Sequence, residues 1–305
     1  MQIVRGFEGW PEGPLHLAIG VFDGVHVGHQ ALIRRLVEGA QAARATAVAA
    51  TFDPLPIQVL APGAPPSALS DASERVELLT LAGADAVVVF RYDAAFAAIK
   101  ARDFVARVSE AGDVRRVVVG QDFRYGHGRE GDVVLLRELG ARHGFDVDVV
   151  PPVEVAGAVV SSTRIRNLLL AGRVEEAASL LGRPYLVPGR IEQGDRRGRA
   201  LGYPTINVAT SRERILPRDG IYATWVTLLG QRRPAATSLG VRPTFEAGER
   251  LLESFLIDWS GDVYGEDATT AFVARLRDEL RFASPEDLVR QIGLDVEQAR
   301  AALLG

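Results

Sequence analysis

Near residue 180 the hydrophobic pattern of this chain changes character, and that break constrains the fold more than any other feature. Before it, short apolar β-rich runs alternate with amphipathic stretches of helical period, an order that predicts a parallel sheet covered by helices. Strands are expected at His16 to Phe22, Thr46 to Phe52, Asp85 to Phe90, Arg115 to Gly120 and Phe145 to Val150. Helices are expected near Gly28 to Ala43, Asp71 to Leu81, Arg102 to Ser109 and Asp132 to His143, with a further one over AAFAAIK up to Lys100. The piece from Asp53 to Pro66 reads as a loop, because its prolines cannot continue a helix or a central strand. After the break, Tyr185 to Phe272 gives strand after strand with Gly and Pro turns and no helix between them. That texture predicts a small closed or nearly closed antiparallel barrel. Ser284, Pro285 and Glu286, in capping order, start a terminal helix that runs to about Leu304. A chain of 305 residues is long enough for two domains, placed here at 1–182 and 183–305.

Composition removes whole classes of chemistry. There is no cysteine, hence no disulfide framework, no thiolate nucleophile and no thiolate metal site. Lys100 is the only lysine and stands outside any glycine-rich loop, so neither a Walker A loop nor a protein-kinase strand lysine is available. The formal charge of −4 gives no general attraction to nucleic acid or to an anionic membrane, which points to small phosphorylated ligands held at local sites. No stretch approaches the roughly 20 consecutive apolar residues of a bilayer-spanning helix. Glu8, Glu12 and two prolines interrupt the first twenty residues where a signal peptide needs an apolar run. A cytoplasmic location is expected, with no nucleic-acid or membrane partner and a monomer or weak homo-oligomer.

The segment GVFDGVHVGHQALIRRL places Gly20, Phe22, Asp23, His26, Gly28 and His29 at a strand-to-helix turn, where open α/β sheets bind ligands. His26 and His29 lie on one face beside the free amides and positive dipole of a helix start, and Gly28 leaves room for a phosphate. VVVGQDFRYGHGREGD puts Asp122, Arg124 and Arg129 on a glycine-rich loop after another strand, and SSTRIRNLLLAG opens a helix with Ser162, Thr163 and Arg166. Singly these read as caps and solvated charges, but the glycine, aspartate and arginine cluster at the same sheet end as the histidines suits a nucleotide cradle. The three segments together resemble the HxGH nucleotidylyltransferases, more closely the adenylyltransferase half of the prokaryotic bifunctional riboflavin kinase/FAD synthetases, with patterns GxFDGxHxGH, VGxDFRFG and SSTxIR. The resemblance implies a Rossmann-like domain in which His26 and His29 are catalytic and Gly20, Phe22, Asp23, Gly28, Asp122, Arg124, Arg129, Ser162, Thr163 and Arg166 bind ATP or FMN. Leu55 stands where many members have a histidine, and Tyr125 where phenylalanine is frequent.

In the second half, GRIEQGDRRGRALGYPTINV joins a glycine- and arginine-rich turn to Thr205 and Asn207. Spaced by two, these residues share one side of a strand and offer two oxygens to a hard cation, although strand-end hydrogen bonding explains them equally well. Glu253 interrupts an apolar face made by Leu251, Phe255 and Ile257, which calls for an edge position, a salt bridge or a catalytic role. This half resembles the riboflavin kinase module of the same family, reading PTIN for its PTAN with Ile206 in place of the usual alanine, GIYA for its GVYA, and LESFLIDWSGDVYG for its LExxxxDxxxDxYG. The resemblance implies that Thr205 and Asn207 hold Mg²⁺ and ATP phosphates and that Glu253 is the base for the riboflavin hydroxyl. It also implies that Gly189, Gly194, Arg199, Gly202, Pro204 and Arg277 serve nucleotide or flavin binding. The implied function is phosphorylation of riboflavin to FMN and adenylation of FMN to FAD, with ATP in both steps. Two alternatives stay open: a riboflavin kinase with a weak or inactive adenylyltransferase domain, for which Leu55 speaks, and a non-catalytic flavin or nucleotide binder.

Overall fold

The structure is a computed structural model that describes residues 2–63, 65, 67–193, 202–241 and 250–305. Its contacts divide the chain into two compact units, Met1–Ser162 and Thr163–Gly305. The described elements of the first unit are β1 (Gln2–Arg5), β2 (Pro14–Ile19), α1 (Val27–Ala43), β3 (Thr46–Asp53), α2 (Pro56–Leu60), α3 (Ala72–Leu81), β4 (Ala86–Arg91), α4 (Ala94–Ala97), α5 (Ala101–Ala111), β5 (Asp113–Gly120), α6 (Val133–His143), β6 (Asp146–Val150) and a hairpin of β7 (Glu154–Val155) with β8 (Ala158–Val159). The second unit holds α7, which spans Ser162–Leu170 and so starts at the division, α8 (Val174–Leu181), β9 (Tyr185–Glu192), β10 (Thr205–Ala209), β11 (Gly220–Leu228), β12 (Gln231–Val241), β13 (Arg250–Leu256), β14 (Asp267–Arg277) and α9 (Pro285–Leu304).

The first unit is a six-stranded sheet of order β1-β4-β3-β2-β5-β6, parallel at every described pairing. Its strands are nearly continuous apolar runs because both faces are covered. On one face Ala18, Ala49, Val87 and Val118 meet Ile33 and Leu36 of α1 and Leu79 of α3. On the other, Leu17, Ile19, Val88, Phe90 and Val119 meet Phe104 and Val108 of α5 and Leu136 of α6. Asp71 caps α3 in a reciprocal box with Glu74, and Asp132 caps α6 by accepting from the Leu135 amide.

Two expectations need correction, and β1, β7, β8 and α8 are additions to the expected elements. β1 was not foreseen; four residues with one buried side chain give too little pattern to read. The proline-rich loop contains α2, because Pro56 occupies the first helical turn, where its missing N–H costs nothing, and the Gln58 side chain accepts from the Leu55 amide at 2.6 Å. The helix expected up to Lys100 stops at Ala97, and Lys100 instead caps α5.

The second unit is a closed barrel, β10-β13-β12-β11-β14-β9, antiparallel throughout. Ile206, Val208, Tyr222, Leu239, Leu252 and Phe272 are buried inside it. α9 lies on the outside, where Val296 and Ala299 pack against Ala223, Ala236 and Ile257 with Phe255 and Tyr203 alongside. Ser284 caps this helix by accepting from the Asp287 amide at 3.1 Å. Arg277 at the end of β14 grips Asp295 of α9 through two parallel bonds of 2.7 and 2.6 Å. Among the described residues no helix is long and apolar enough to cross a membrane.

The Arg277–Asp295 pair is nearly closed to solvent, with side-chain exposures of 17% and 5%. Removing one partner strands the other, so Asp295→Leu should destabilise the barrel unit by about 3 kcal/mol, read as a lower urea midpoint. Arg277→Met in the same chain should recover most of that loss, since an apolar pair leaves no uncompensated charge.

Candidate functional site

In the first unit, β2 has β3 on one side and β5 on the other, so the strand order reverses beside it. Such a switch point opens a crevice at the carboxyl ends of the strands. The turn after β2 and the loop after β5 leave the sheet at that end, which brings His26 and His29 to the same edge as Asp122, Arg124 and Arg129.

His26 is the N-cap of α1, its Nδ1 accepting from the His29 amide at 3.3 Å. The neutral His26 ring therefore carries its proton on Nε2. The two imidazoles stack with centroids 3.6 Å apart, and the edge of Phe22 meets His29 at 5.2 Å. Burial, and then the neighbouring His26, hold the His29 imidazole well below its ordinary value, so that ring is neutral at pH 7. Its Nδ1 is buried and has no hydrogen-bond partner among the described residues. A Cβ at Gly28 would sit 3.1 Å from the His26 ring, a tight contact that would press on the cap. At Gly20 a Cβ would come within 2.9 Å of the Phe22 ring.

Asp23 is 1% exposed, and its carboxylate accepts from the amides of Leu69 and Ser70, nearest at 3.0 Å, and from the Ser70 hydroxyl at 3.2 Å. The Ser162 hydroxyl donates to the Asp23 carbonyl at 3.0 Å. Thr163 is exposed and Arg166 half-buried on α7. Asp122 and Arg129 are exposed on the β5 loop, whereas Arg124 pairs with the α6 cap Asp132 at 3.1 Å. Leu55 is 2% exposed and fills a core position.

In the barrel, inner and outer residues alternate, and Thr205, Asn207, Glu253 and Phe255 belong to the outer set. The register pairs Asn207 directly with Glu253, and Thr205 with Phe255. On its far side Glu253 faces Ser238, and on its own far side Asn207 faces Glu192. A row Glu192–Asn207–Glu253–Ser238 thus crosses four strands, with directly opposed Cβ atoms about 4.5–5.5 Å apart. Sequence reading missed Ser238 and Glu192, because only the strand register makes them neighbours.

Gly189 is obligatory, since a Cβ there would overlap the Ala209 carbonyl of the paired strand. Gly202 takes a left-handed φ of 83°, and Pro204 is exposed just before Thr205. The Arg277 guanidinium is engaged by Asp295, with a further bond to the Asp278 carbonyl at 2.8 Å. Gly194 and Arg199 lie outside the described residues.

The donor set suits a hard cation. Asn207 is 7% exposed, and its Oδ1 is buried with no hydrogen-bond partner among the described residues. A desolvated carboxamide oxygen left without a donor is costly, and a cation relieves that cost. Among the described residues no three His, Cys, Asp or Glu side chains gather as a metal cage. A few protein oxygens completed by nucleotide phosphates is the arrangement that Mg²⁺ commonly adopts.

Known proteins divide along the same line as the two polar centres. The FAD synthetase family matches residues 11–164, and the riboflavin kinase family matches residues 181–303. The bifunctional riboflavin kinase/FMN adenylyltransferase of Escherichia coli strain K12 is 36% identical, over 98% of this chain and 97% of its own. The protein of the same name from Pseudomonas fluorescens is 39% identical, over 99% and 97%. The crystal structure of a protein named macrolide-efflux protein from Streptococcus pneumoniae shares the fold with a TM-score of 0.90 and 31% identity, over 98% of this chain and 99% of that one. With both halves matched in order and full-length relatives above 30% identity, the chain belongs to the family of bifunctional riboflavin kinases/FMN adenylyltransferases.

Proposed function

We propose that this chain phosphorylates riboflavin to FMN in its barrel and adenylates FMN to FAD at the parallel sheet, consuming ATP and a divalent cation, with residues 1–182 and 183–305 as the working divisions. The observation that carries the reading is the register that seats Glu253 beside the orphaned oxygen of Asn207, a carboxylate next to a cation-seeking atom. The chain is taken to act in the cytoplasm on these small molecules.

In the kinase step Glu253 accepts the proton of the riboflavin 5′-hydroxyl as that oxygen attacks the γ-phosphorus of ATP, the bond to the β,γ-bridging oxygen breaks, and ADP leaves. Thr205 and Asn207 present their oxygens on the same strand face and hold the cation. That cation, Mg²⁺ in this reading, supplies neutralisation of the phosphate charge when bound. Gly189, Gly194, Arg199, Gly202, Pro204 and Arg277 are assigned to nucleotide or flavin binding, with the Arg277 charge already engaged by Asp295.

In the adenylyl step an FMN phosphate oxygen attacks the α-phosphorus of ATP and pyrophosphate leaves, which needs no protein nucleophile. His26 donates through Nε2–H to a phosphate oxygen, beside the amides that open α1. The neutral ring of His29 stacks behind that donor and contributes hydrogen bonding without placing a charge against the His26 ring. Gly20, Phe22, Asp23 and Gly28 fix the turn, while Asp122, Arg124, Arg129, Ser162, Thr163 and Arg166 complete the ATP and FMN contacts.

Purified protein given riboflavin, ATP and Mg²⁺ should yield first FMN and then FAD by chromatography; FMN alone would point to a half-active enzyme, and no conversion to a binder. Glu253→Ala should lower FMN formation roughly 10²–10⁴-fold yet spare FAD formation from supplied FMN. His29→Ala should do the reverse, by roughly 10²–10³-fold. A folded variant that loses both activities would refute the division of labour.

The depressed His29 value also sets a pH dependence. Below the ordinary imidazole value of 6.5 the unfolded chain takes up a proton that the folded site refuses, so stability present above that pH falls as the pH drops. His29→Gln should therefore flatten the decline of the first unit's urea midpoint between about pH 7 and 5.5. An unchanged slope would count against a neutral buried His29.

A further inference from the structure

The turn that carries the histidines is backbone-strained. Phe22 and Val25 hold left-handed φ values of 52° and 39°, with Gly24 between them at 78°. A β-branched residue is a genuine outlier there, and such conformations persist only when the surroundings over-determine them. The restraints can be traced one by one. Thr51 Oγ1 donates to the Val21 carbonyl at 2.9 Å, and the Gln30 side chain donates to the Val25 carbonyl at 2.9 Å. The Gly24 amide donates to Ser70 Oγ at 2.9 Å, and the Asp23 carboxylate is held by the Leu69 and Ser70 amides.

Ser70 is the node of this arrangement. Its hydroxyl accepts from Gly24 and donates to Asp23, its amide donates to Asp23, and its carbonyl accepts from Arg75 Nη1 at 2.8 Å. Arg75 then reaches through Nη2 to the Phe52 carbonyl at 2.7 Å, tying the turn to the end of β3 and to α3. Ser70 and Arg75 are each 1% exposed, like Asp23. A buried carboxylate and a buried guanidinium tolerate each other's company and little else, and Ser70 sits between them. The strained residues in turn touch the imidazoles: the Phe22 ring meets His29, and Val25 directly precedes His26.

We infer that Ser70 and Arg75, which no motif of the first unit includes, are positioning residues for adenylyl transfer: they clamp the strained Phe22–Val25 turn and thereby fix the stacked histidines. This rests on the reading of His26 and His29 given above. The planar fork of Arg75 bridges two carbonyls that a point-like ammonium cannot reach together.

The test uses the full chain as Ser70→Ala, Ser70→Thr and Arg75→Lys. It measures FAD formation from FMN, FMN formation from riboflavin, and the imidazole resonances of His26 and His29. Ser70→Ala should lower kcat for FAD formation at least tenfold, leave KM for ATP and FMN within about twofold, leave FMN formation within about twofold, and shift both ring signals as the stack opens. Ser70→Thr, which keeps the hydroxyl, should restore rate and resonances, while Arg75→Lys should resemble Ser70→Ala. A Ser70→Ala protein with native resonances and a kcat within about twofold of the parent would overturn the inference. So would equal loss of both activities, which marks a collapse of the fold. If the parent itself made no FAD, the functional reading would be at fault, and the resonances of Ser70→Ala would then decide the positioning role alone.

Discussion

The two-residue period of a β-strand decides where every polar group of the barrel unit ends up. Ile206 and Val208 face inward, so Asn207 must face outward; Leu252 and Ser254 face inward, so Glu253 must as well. The register of β10 against β13 then sets the two outward residues side by side. A slip of one residue would turn Glu253 into the closed interior, where a carboxylate has no water and no cation, so the hydrophobic pattern protects the polar centre as firmly as it builds the core. The same argument explains why α9 covers this outer face: Phe255, Ala236 and Ala223 share it and need burial.

The first unit solves a different problem, the placement of its histidines on a turn rather than on a strand. Strain at Phe22 and Val25 costs of order 1–3 kcal/mol each. Hydrogen bonds from Ser70, Thr51 and Gln30, and to the Asp23 side chain, contribute about 0.5–3 kcal/mol apiece, so the two sides are of similar size. The turn therefore holds its shape only while its distant anchors on α3 and at the end of β3 are intact. Local sequence around the histidines is not enough to specify their geometry.

That division explains what was legible in the sequence. The barrel strands could be read within a few residues, because Gly and Pro turns bracket alternating runs such as GIYATWVTLL, and Ser284 announces α9 by its chemistry. The stacked histidines were legible as two polar residues three apart at a helix start. Ser238 and Glu192 were not, since nothing within a strand records which strand lies beside it. Ser70 and Arg75 were hidden for another reason: a serine before a helix reads as a turn residue and an arginine in a helix as a solvated charge, and only burial distinguishes them. α2 was lost because proline was read as a breaker, although at the first turn of a helix it is a starter.

With one lysine and no cysteine, the mechanism proposed for this chain relies on arginine, imidazole, carboxylate and backbone amides to handle phosphates. That inventory asks much of geometry, because the proposed direct transfers pass through no intermediate bonded to the protein. Buried charged side chains held by directional bonds answer the demand in both units. Arg277 and Asp295 pin α9 across the face that carries Asn207 and Glu253, and Arg75 is linked through Ser70 to Asp23 beneath the histidine turn. A hydrophobic contact in either place would hold the elements together but would tolerate sliding. Directional, charge-assisted bonds fix angle as well as distance, and phosphoryl and adenylyl transfer depend on that angular control.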